Sequence, residues 1–183
     1  MTWRTLARYV QSLEDSGELI RVSDPVDVEL EAGCIADRLV KRGGGAILFE
    51  QPRLPDGSIS DLPLAMNLFG TRDRTNHALG VKKPDEIGNR MVSLMKPDIG
   101  GIMKAPWTGI GLALEGMSMA PMKVRKGACQ QIVIRDPDVT KLPIPKTWPE
   151  DGGRYITLPL VVTADPETGV HNMGHVQEPG LRT

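Results

Sequence analysis

The chain has 183 residues, a length that suits one ordinary domain or one domain with a piece of a second. It carries 22 basic and 23 acidic side chains, so it lacks the basic excess that nucleic-acid binding requires. No run approaches the ~18 apolar residues of a membrane span, and the N-terminus has no apolar signal core. We therefore expect a cytoplasmic protein in which Cys34 and Cys129 are reduced, buried thiols.

Helical and strand patterns alternate from the N-terminus onward. Thr2 is a candidate N-cap for a first helix that ends at Gly17. The apolar residues of this helix recur at helical spacing: Leu6, Tyr9, Val10 and Leu13. The segment 18–22 (ELIRV) then predicts a short strand.

A second helix is predicted over 27–42 and is closed by the three glycines at 43–45. Its predicted apolar face consists of Leu30, Cys34, Ile35 and Leu39. Residues 46–49 predict a strand, and the polar stretch 51–61, with its Pro and Gly, predicts a loop.

Another strand is predicted at 64–68 and a helix at 72–79. Pro84 stands where the first position of the next helix belongs, and that helix runs to about residue 95. This order of elements predicts a small α/β (α+β) domain over residues 1–105.

Residues 106–127 form a connector that Gly and Pro interrupt repeatedly. Residues 128–135 (ACQQIVIR) then predict a strand, and Asp136 to Val139 opens a one-turn helix.

The stretch 142–174 has the most informative pattern. Prolines 143 and 145 force extended backbone, and WPEDGG at 148–153 is a glycine-ended turn. A β-branched strand at 155–163, a loop at 165–169 and a returning strand at 170–174 predict a hairpin.

The phrases WPEDGG, YITLPLVVTADPETG and HNMG together resemble the UbiD-type decarboxylases. NLFG at 67–70, followed by Arg72 and by ALG at 78–80, is similar to them as well, although packing and turns also explain these residues. The resemblance covers most of the chain, but roughly the first third of such an enzyme. It implies that 128–183 is a partial flavin-binding segment, the opening strands of an FMN-binding split β-barrel.

The resemblance also implies a chemistry. These enzymes use prenylated FMN to remove carbon dioxide from aromatic or α,β-unsaturated carboxylic acids, with a divalent metal of Mn or Mg type. The Asn of their N-x-G motif is a metal ligand, and the matching residue is Asn172. The residues that follow, His175, Val176 and Gln177, would contact the flavin. Taken alone, Asn172 beside a hairpin is also explained as a turn residue with local hydrogen bonds.

The chain departs from the family after this motif. Val176 and Gln177 stand where the family has Tyr and Arg, and that Arg acts with two glutamates much further along. We therefore assign no catalytic residue, and we expect this chain alone to be inactive and not to bind the cofactor stably. Two other functions stay open: a non-catalytic homologue or subunit that scaffolds a partner, and an unrelated split-barrel flavin binder.

The incomplete barrel carries an expectation about assembly. The strands at 128–135, 156–163 and 170–175 would leave unpaired edges, and Leu158, Leu160 and Val162 would share an uncovered apolar face. We expect a homo-oligomer, or association with another chain, through residues 125–175, or disorder beyond about residue 165.

Overall fold

The computed structural model describes residues 3, 5–95, 107, 110–111, 114, 117, 124–175 and 178–179. These residues divide into two compact units. One, which we call the split unit, contains the described parts of 3–75 and of 137–183. The other, the inserted unit, contains the described parts of 76–136. The described residues from 137 onward therefore pack with the described residues of 3–75.

A three-stranded sheet is the centre of the split unit. Its order is β1 (Leu19–Val22), β3 (Ala46–Phe49) and β5 (Leu64–Met66), with β1 parallel and β5 antiparallel to β3. All four residues of β3 are buried because this strand is central. The parallel β1–β3 pair is connected through a helix, as a parallel crossover requires. The predicted strands at 18–22, 46–49 and 64–68 are thus confirmed, with slightly different ends.

The first helix, α1, spans Leu6–Asp15 and confirms the predicted helix. Its N-cap is Thr5, whose side-chain oxygen accepts a hydrogen bond from the Arg8 amide at 3.2 Å, so the assignment of the cap to Thr2 was wrong. Gly17 takes a φ of 74°, which ends the helix as predicted. Tyr9 and Leu13 are buried on its inner face.

The second helix, α2, spans Glu31–Lys41. Its predicted apolar face is confirmed at Ile35 and Leu39, which pack against the core, but not at Leu30 and Cys34, which are exposed. The fully buried residues are small: Ala32, Gly33 and Ala36. Cys34 is exposed, which corrects its prediction as a buried thiol. Leu30 has a φ of 66°, so the helix begins after it, later than the predicted residue 27.

Small residues on α2 allow a close approach by the chain near residue 147. A Cβ atom added at Gly33 would lie 3.2 Å from both the Cα and the carbonyl oxygen of Thr147. Beside it, β2 (Val26–Asp27) pairs in parallel with β4 (Pro52–Arg53), which lies inside the segment predicted as a loop. The core cluster joins these elements to the sheet and consists of Val26, Ala32, Ala36, Ile47 and Phe49.

Two further helices follow, α3 (Arg72–Leu79) and α4 (Asp85–Met95), and both were predicted. The predicted strand at 128–135 was wrong. A short 3-10 helix, Ala128–Gln130, stands at its start, and the β-branched residues after it are largely exposed. They have no partner strand among the described residues, and an unpaired strand gains neither ladder hydrogen bonds nor burial. The predicted single helical turn near residue 139 is confirmed as a 3-10 helix, Val139–Lys141.

Four strands complete the split unit: β6 (Tyr155–Ile156), β7 (Leu160–Ala164), β8 (His171–His175) and β9 (Glu178–Pro179). β7 pairs antiparallel with β8, and β6 with β9. The predicted strand 155–163 is interrupted at 157–159, where Pro159 lacks the N–H that a continuous ladder needs. The described strands form two separate pairs, so the split barrel stays a prediction. No helix in the described part of the chain is long and apolar enough to cross a membrane.

Candidate functional site

The glycine-ended turn at 148–153 is attached to the N-terminal elements by backbone hydrogen bonds. The Leu30 amide donates to the carbonyl of Lys146 at 2.8 Å, and the Lys146 amide donates to the carbonyl of Val28 at 3.1 Å. Within the turn, the Trp148 amide donates to the Asp151 carboxylate at 3.0 Å. The turn is therefore part of the same packed unit as β2 and α2.

The hairpin β7–β8 follows this turn, and its loop is held by one carboxylate. Asp165 Oδ1 accepts hydrogen bonds from the Thr168 amide at 2.6 Å, the Thr168 hydroxyl at 2.8 Å and the Glu167 amide at 3.0 Å. These bonds, those from Thr168 above all, lower the pKa of Asp165 below its ordinary value. Gly169 closes the loop with a φ of 68°, and the predicted hairpin loop is confirmed.

The hairpin presents two chemically different faces. Thr163 lies opposite Asn172, and Val161 lies opposite Gly174, so these residues share one face. Val162 and Met173 are paired on the other face, where their side chains are 64% and 66% exposed. Asn172 is exposed on the more polar face.

The structure locates only part of the predicted cofactor site. His175 ends β8, with its backbone paired to Leu160. Val176 and Gln177 lie outside the described residues. Asn172 fits the role of one oxygen ligand to a hard divalent ion, since it is exposed and carries a carbonyl oxygen. Among the described residues, no group of three or more His, Cys, Asp or Glu could complete such a site.

Arg154 is a buried charged residue that the sequence analysis did not single out. Its side chain is 6% exposed, and its Nη1 has no hydrogen-bond partner among the described residues. In the sequence this residue is marked only by its position directly after Gly152-Gly153, and that position does not show whether the arginine is buried or exposed.

These features define a small α/β unit with an attached β-hairpin, and comparison with known proteins identifies its class. Residues 10–92 match the N-terminal domain of the 3-octaprenyl-4-hydroxybenzoate carboxy-lyases (UbiD). Residues 122–176 match the Rift-related domain of the same carboxy-lyases. The two matches cover most of the chain, which therefore belongs to the UbiD family.

Two curated relatives match most of this chain. An uncharacterized protein of Archaeoglobus fulgidus is 42% identical over 174 residues, which are 95% of this chain and 34% of that protein. A second relative, from Aquifex aeolicus, is 34% identical and is covered to 35% of its length. The chain thus spans about a third of the length of the curated relatives it matches.

Solved structures show the same fold. The vanillic acid decarboxylase of Sedimentibacter hydroxybenzoicus in its closed form has a TM-score of 0.73 and 22% identity, with 99% of this chain and 36% of that chain covered. An evolved dimeric form of the UbiD-class enzyme HmfF from Pelotomaculum thermopropionicum, in complex with prFMN, has a TM-score of 0.67 at 21% identity, with 96% and 35% covered.

Proposed function

We propose that this chain is the N-terminal part of a decarboxylase that removes carbon dioxide from an aromatic or α,β-unsaturated carboxylic acid with prenylated FMN. The two matches to UbiD domains support the proposal, as does a hairpin that exposes Asn172 at its N-x-G motif. In this proposal the family's domain boundary falls in the first part of the connector predicted at 106–127, since the two matched segments end at residue 92 and begin again at residue 122.

Decarboxylation at an sp² carbon leaves a carbanion that ordinary side chains cannot delocalise, and prenylated FMN supplies the electron sink when it is bound. In our proposal the role of this chain is binding. Asn172 donates one oxygen to a Mn or Mg ion, and His175, Val176 and Gln177 contact the flavin. The chain alone is inactive, because the arginine and the two glutamates of the family's catalytic set have no counterpart in it.

A chimera tests this proposal: the corresponding first third of the vanillic acid decarboxylase of Sedimentibacter hydroxybenzoicus is replaced by this chain, and the intact decarboxylase serves as the positive control. We expect the chimera, supplied with prenylated FMN and Mn²⁺, to release carbon dioxide from vanillic acid. Asn172→Ala should weaken Mn²⁺ binding at least about tenfold, as measured by electron paramagnetic resonance. His171→Ala, a neighbouring exposed residue on the other face, is the matched control and should leave Mn²⁺ binding unchanged.

Gln177 stands where the family's motif has an arginine, and this difference favours a second function, a non-catalytic subunit that scaffolds a partner. Gln177→Arg in the chimera separates the two, because the decarboxylase proposal expects it to raise activity. A folded, flavin-loaded chimera that stays inactive with either residue would favour the scaffold.

The apolar face of the hairpin supports an association of this chain with itself or with another chain. Val162 and Met173 are mostly exposed there, and paired β-branched and long side chains of this kind are normally covered. Sedimentation equilibrium of the 183-residue chain tests this, with Val162→Thr and Met173→Gln expected to shift it toward the monomer.

A further inference from the structure

A cavity of about 720 Å³ lies within the split unit. It is enclosed by α1, by residues of all three strands of the central sheet, and by the segments 143–145 and 155–158. Its wall is mainly aliphatic and includes Leu6, Val10, Leu48, Met66, Ile144 and Leu158. The volume falls within the range of about 300–1,000 Å³ that is typical of small-molecule sites.

Three of the five polar side chains of this wall, those of Gln11, Arg21 and Asn67, have hydrogen-bond partners in the protein. Arg21 donates from Nη2 to Glu14 at 2.8 Å and from Nη1 to Glu50 at 2.8 Å. Gln11 donates to the carboxylates of Glu14 and Asp15, each at 3.0 Å. The Arg21 guanidinium thus pairs with two carboxylates, those of Glu14 and Glu50, and the described lining of the cavity holds no other Lys or Arg side chain.

Asn67, the last of these three, also has its partner inside the protein. Asn67 donates from Nδ2 to the carbonyl of Gly45 at 2.8 Å. Large aliphatic side chains at the mouth are in contact with solvent, since Leu6 is 60% and Leu158 59% exposed. An occupant would therefore gain from covering apolar surface and would find no unpaired cation for a negative charge.

We propose that this cavity binds a neutral, largely apolar small molecule and excludes carboxylates. A buried anion would lose its hydration without gaining a partner, and the acidic side chains around Arg21 would repel it. The proposal is independent of the proposed decarboxylase function, whose substrate is an acid and whose flavin is assigned to the β7–β8 hairpin.

Two probes of the same shape and different charge test it: 2-naphthol, which is neutral at pH 7, and 2-naphthoate, which is anionic. Isothermal titration of the 183-residue chain should show saturable binding of 2-naphthol and at least tenfold weaker binding of 2-naphthoate. Equal or tighter binding of 2-naphthoate, or no saturable binding of 2-naphthol, would overturn the proposal.

Ala7 and Arg8 offer a matched pair of variants on α1. Both are exposed, but only Ala7 lines the cavity. Ala7→Phe should occupy the cavity and reduce 2-naphthol affinity at least tenfold, whereas Arg8→Phe should leave it unchanged, with circular dichroism confirming that both variants are folded. Equal affinities would place the binding elsewhere and refute the site.

A second copy of the chain is the competing occupant. Sedimentation velocity with and without 2-naphthol distinguishes a second copy from a small molecule. If the cavity binds a small molecule, we expect the wild-type chain and Ala7→Phe to have the same oligomeric state. Dissociation of an oligomer by Ala7→Phe, or by 2-naphthol, would show that this face is an interface between copies, and the small-molecule proposal would be withdrawn.

Discussion

Arg74 and Glu18 form an ion pair in which Nη1 of the arginine lies 2.8 Å from Oε2 of the glutamate. The arginine side chain is only 2% exposed, whereas that of Glu18 is 50% exposed. The guanidinium also donates to the carbonyl of Gly44 at 3.4 Å. This pair connects α3 to the residue before β1 and to the turn after α2, so three elements depend on one buried charge.

Glu18→Ala should destabilise the chain, because it leaves the buried Arg74 guanidinium without its carboxylate. We expect a loss of about 1–3 kcal/mol in the free energy of unfolding, measured by urea denaturation. Asp37→Ala, which breaks an exposed i,i+4 pair with Lys41, is the control and should cost no more than about 0.5 kcal/mol. Similar losses in both variants would contradict the role of the buried pair.

Tyr9→Phe tests a second connection to α3. The Tyr9 hydroxyl lies 3.0 Å from the carbonyl oxygens of both Leu68 and Arg74, and its ring stacks on Phe69 with 5.6 Å between centroids. The variant keeps the ring and loses the donor, so we expect a loss of about 1 kcal/mol in the free energy of unfolding at pH 7.

The pH dependence of the same variant follows from the pKa of Tyr9. Burial raises this pKa above its ordinary value, an effect that the charge of Arg74 partly offsets. The stability from the neutral phenol is therefore complete below about pH 10, the unfolded-state value, and is lost as the pH rises through the folded-state pKa. Between pH 9 and 11 (about one unit either side of that value), the free energy of unfolding should fall less in Tyr9→Phe than in the wild type. Equal falls in the two proteins would contradict this prediction.

Gly33→Ala tests the close approach of α2 to the segment at 147. The added Cβ would lie 3.2 Å from backbone atoms of Thr147, which cannot move as a side-chain end can. We expect a loss of about 1–3 kcal/mol in the free energy of unfolding. Gly88→Ala in α4, where a Cβ meets open space, is the control and should be neutral or stabilising. A neutral Gly33→Ala would mean that α2 is free to shift.

Asp165→Ala should loosen the β7–β8 hairpin, because three hydrogen bonds to its carboxylate are lost together. We expect severalfold faster hydrogen exchange of the amides in β7 and β8, whereas Glu167→Ala keeps its backbone donor and should exchange as wild type does. Because the pKa of Asp165 is lowered in the folded chain, the stabilisation by its carboxylate is complete at pH values above the ordinary pKa of aspartate. It is lost as the pH falls through the folded-state pKa. Equal exchange rates of these amides in the wild type and in Asp165→Ala at pH 6 would refute this.

The sequence predicts most of the local structure, because hydrophobic period and turn residues are local signals. The hairpin loop at 165–169 and the strand at 46–49 were predicted from such signals and are confirmed. The strand at 128–135 failed for the opposite reason, since a β-branched run becomes a strand only when a partner is near. The spacing of apolar residues does not show which face of a helix contacts a segment that is distant in sequence. Cys34 was therefore predicted to be buried, and Ala32 was not.

The candidate site shows the same limit. The sequence pattern directed attention to Arg72, which is exposed, whereas the structure buries Arg74 two positions later. Asn172 was found through its motif, but Arg154 and the cavity were missed. Both depend on segments that are distant in sequence and meet only in the folded chain, as when residues 143–145 and α1 line the same cavity.

The hydrogen bonds between Lys146 and the backbone at Val28 and Leu30 have a consequence for biosynthesis. Translation proceeds from the N-terminus at roughly 5–20 residues per second, so the central sheet and α2 leave the ribosome several seconds before residues 144–147. During that interval the carbonyl of Val28 and the amide of Leu30 have only water as a partner, and the surface that Ile144 later covers stays open. Contacts between such distant parts of a chain form slowly. The nascent N-terminal half therefore completes its packing only after residues 144–147 have been made.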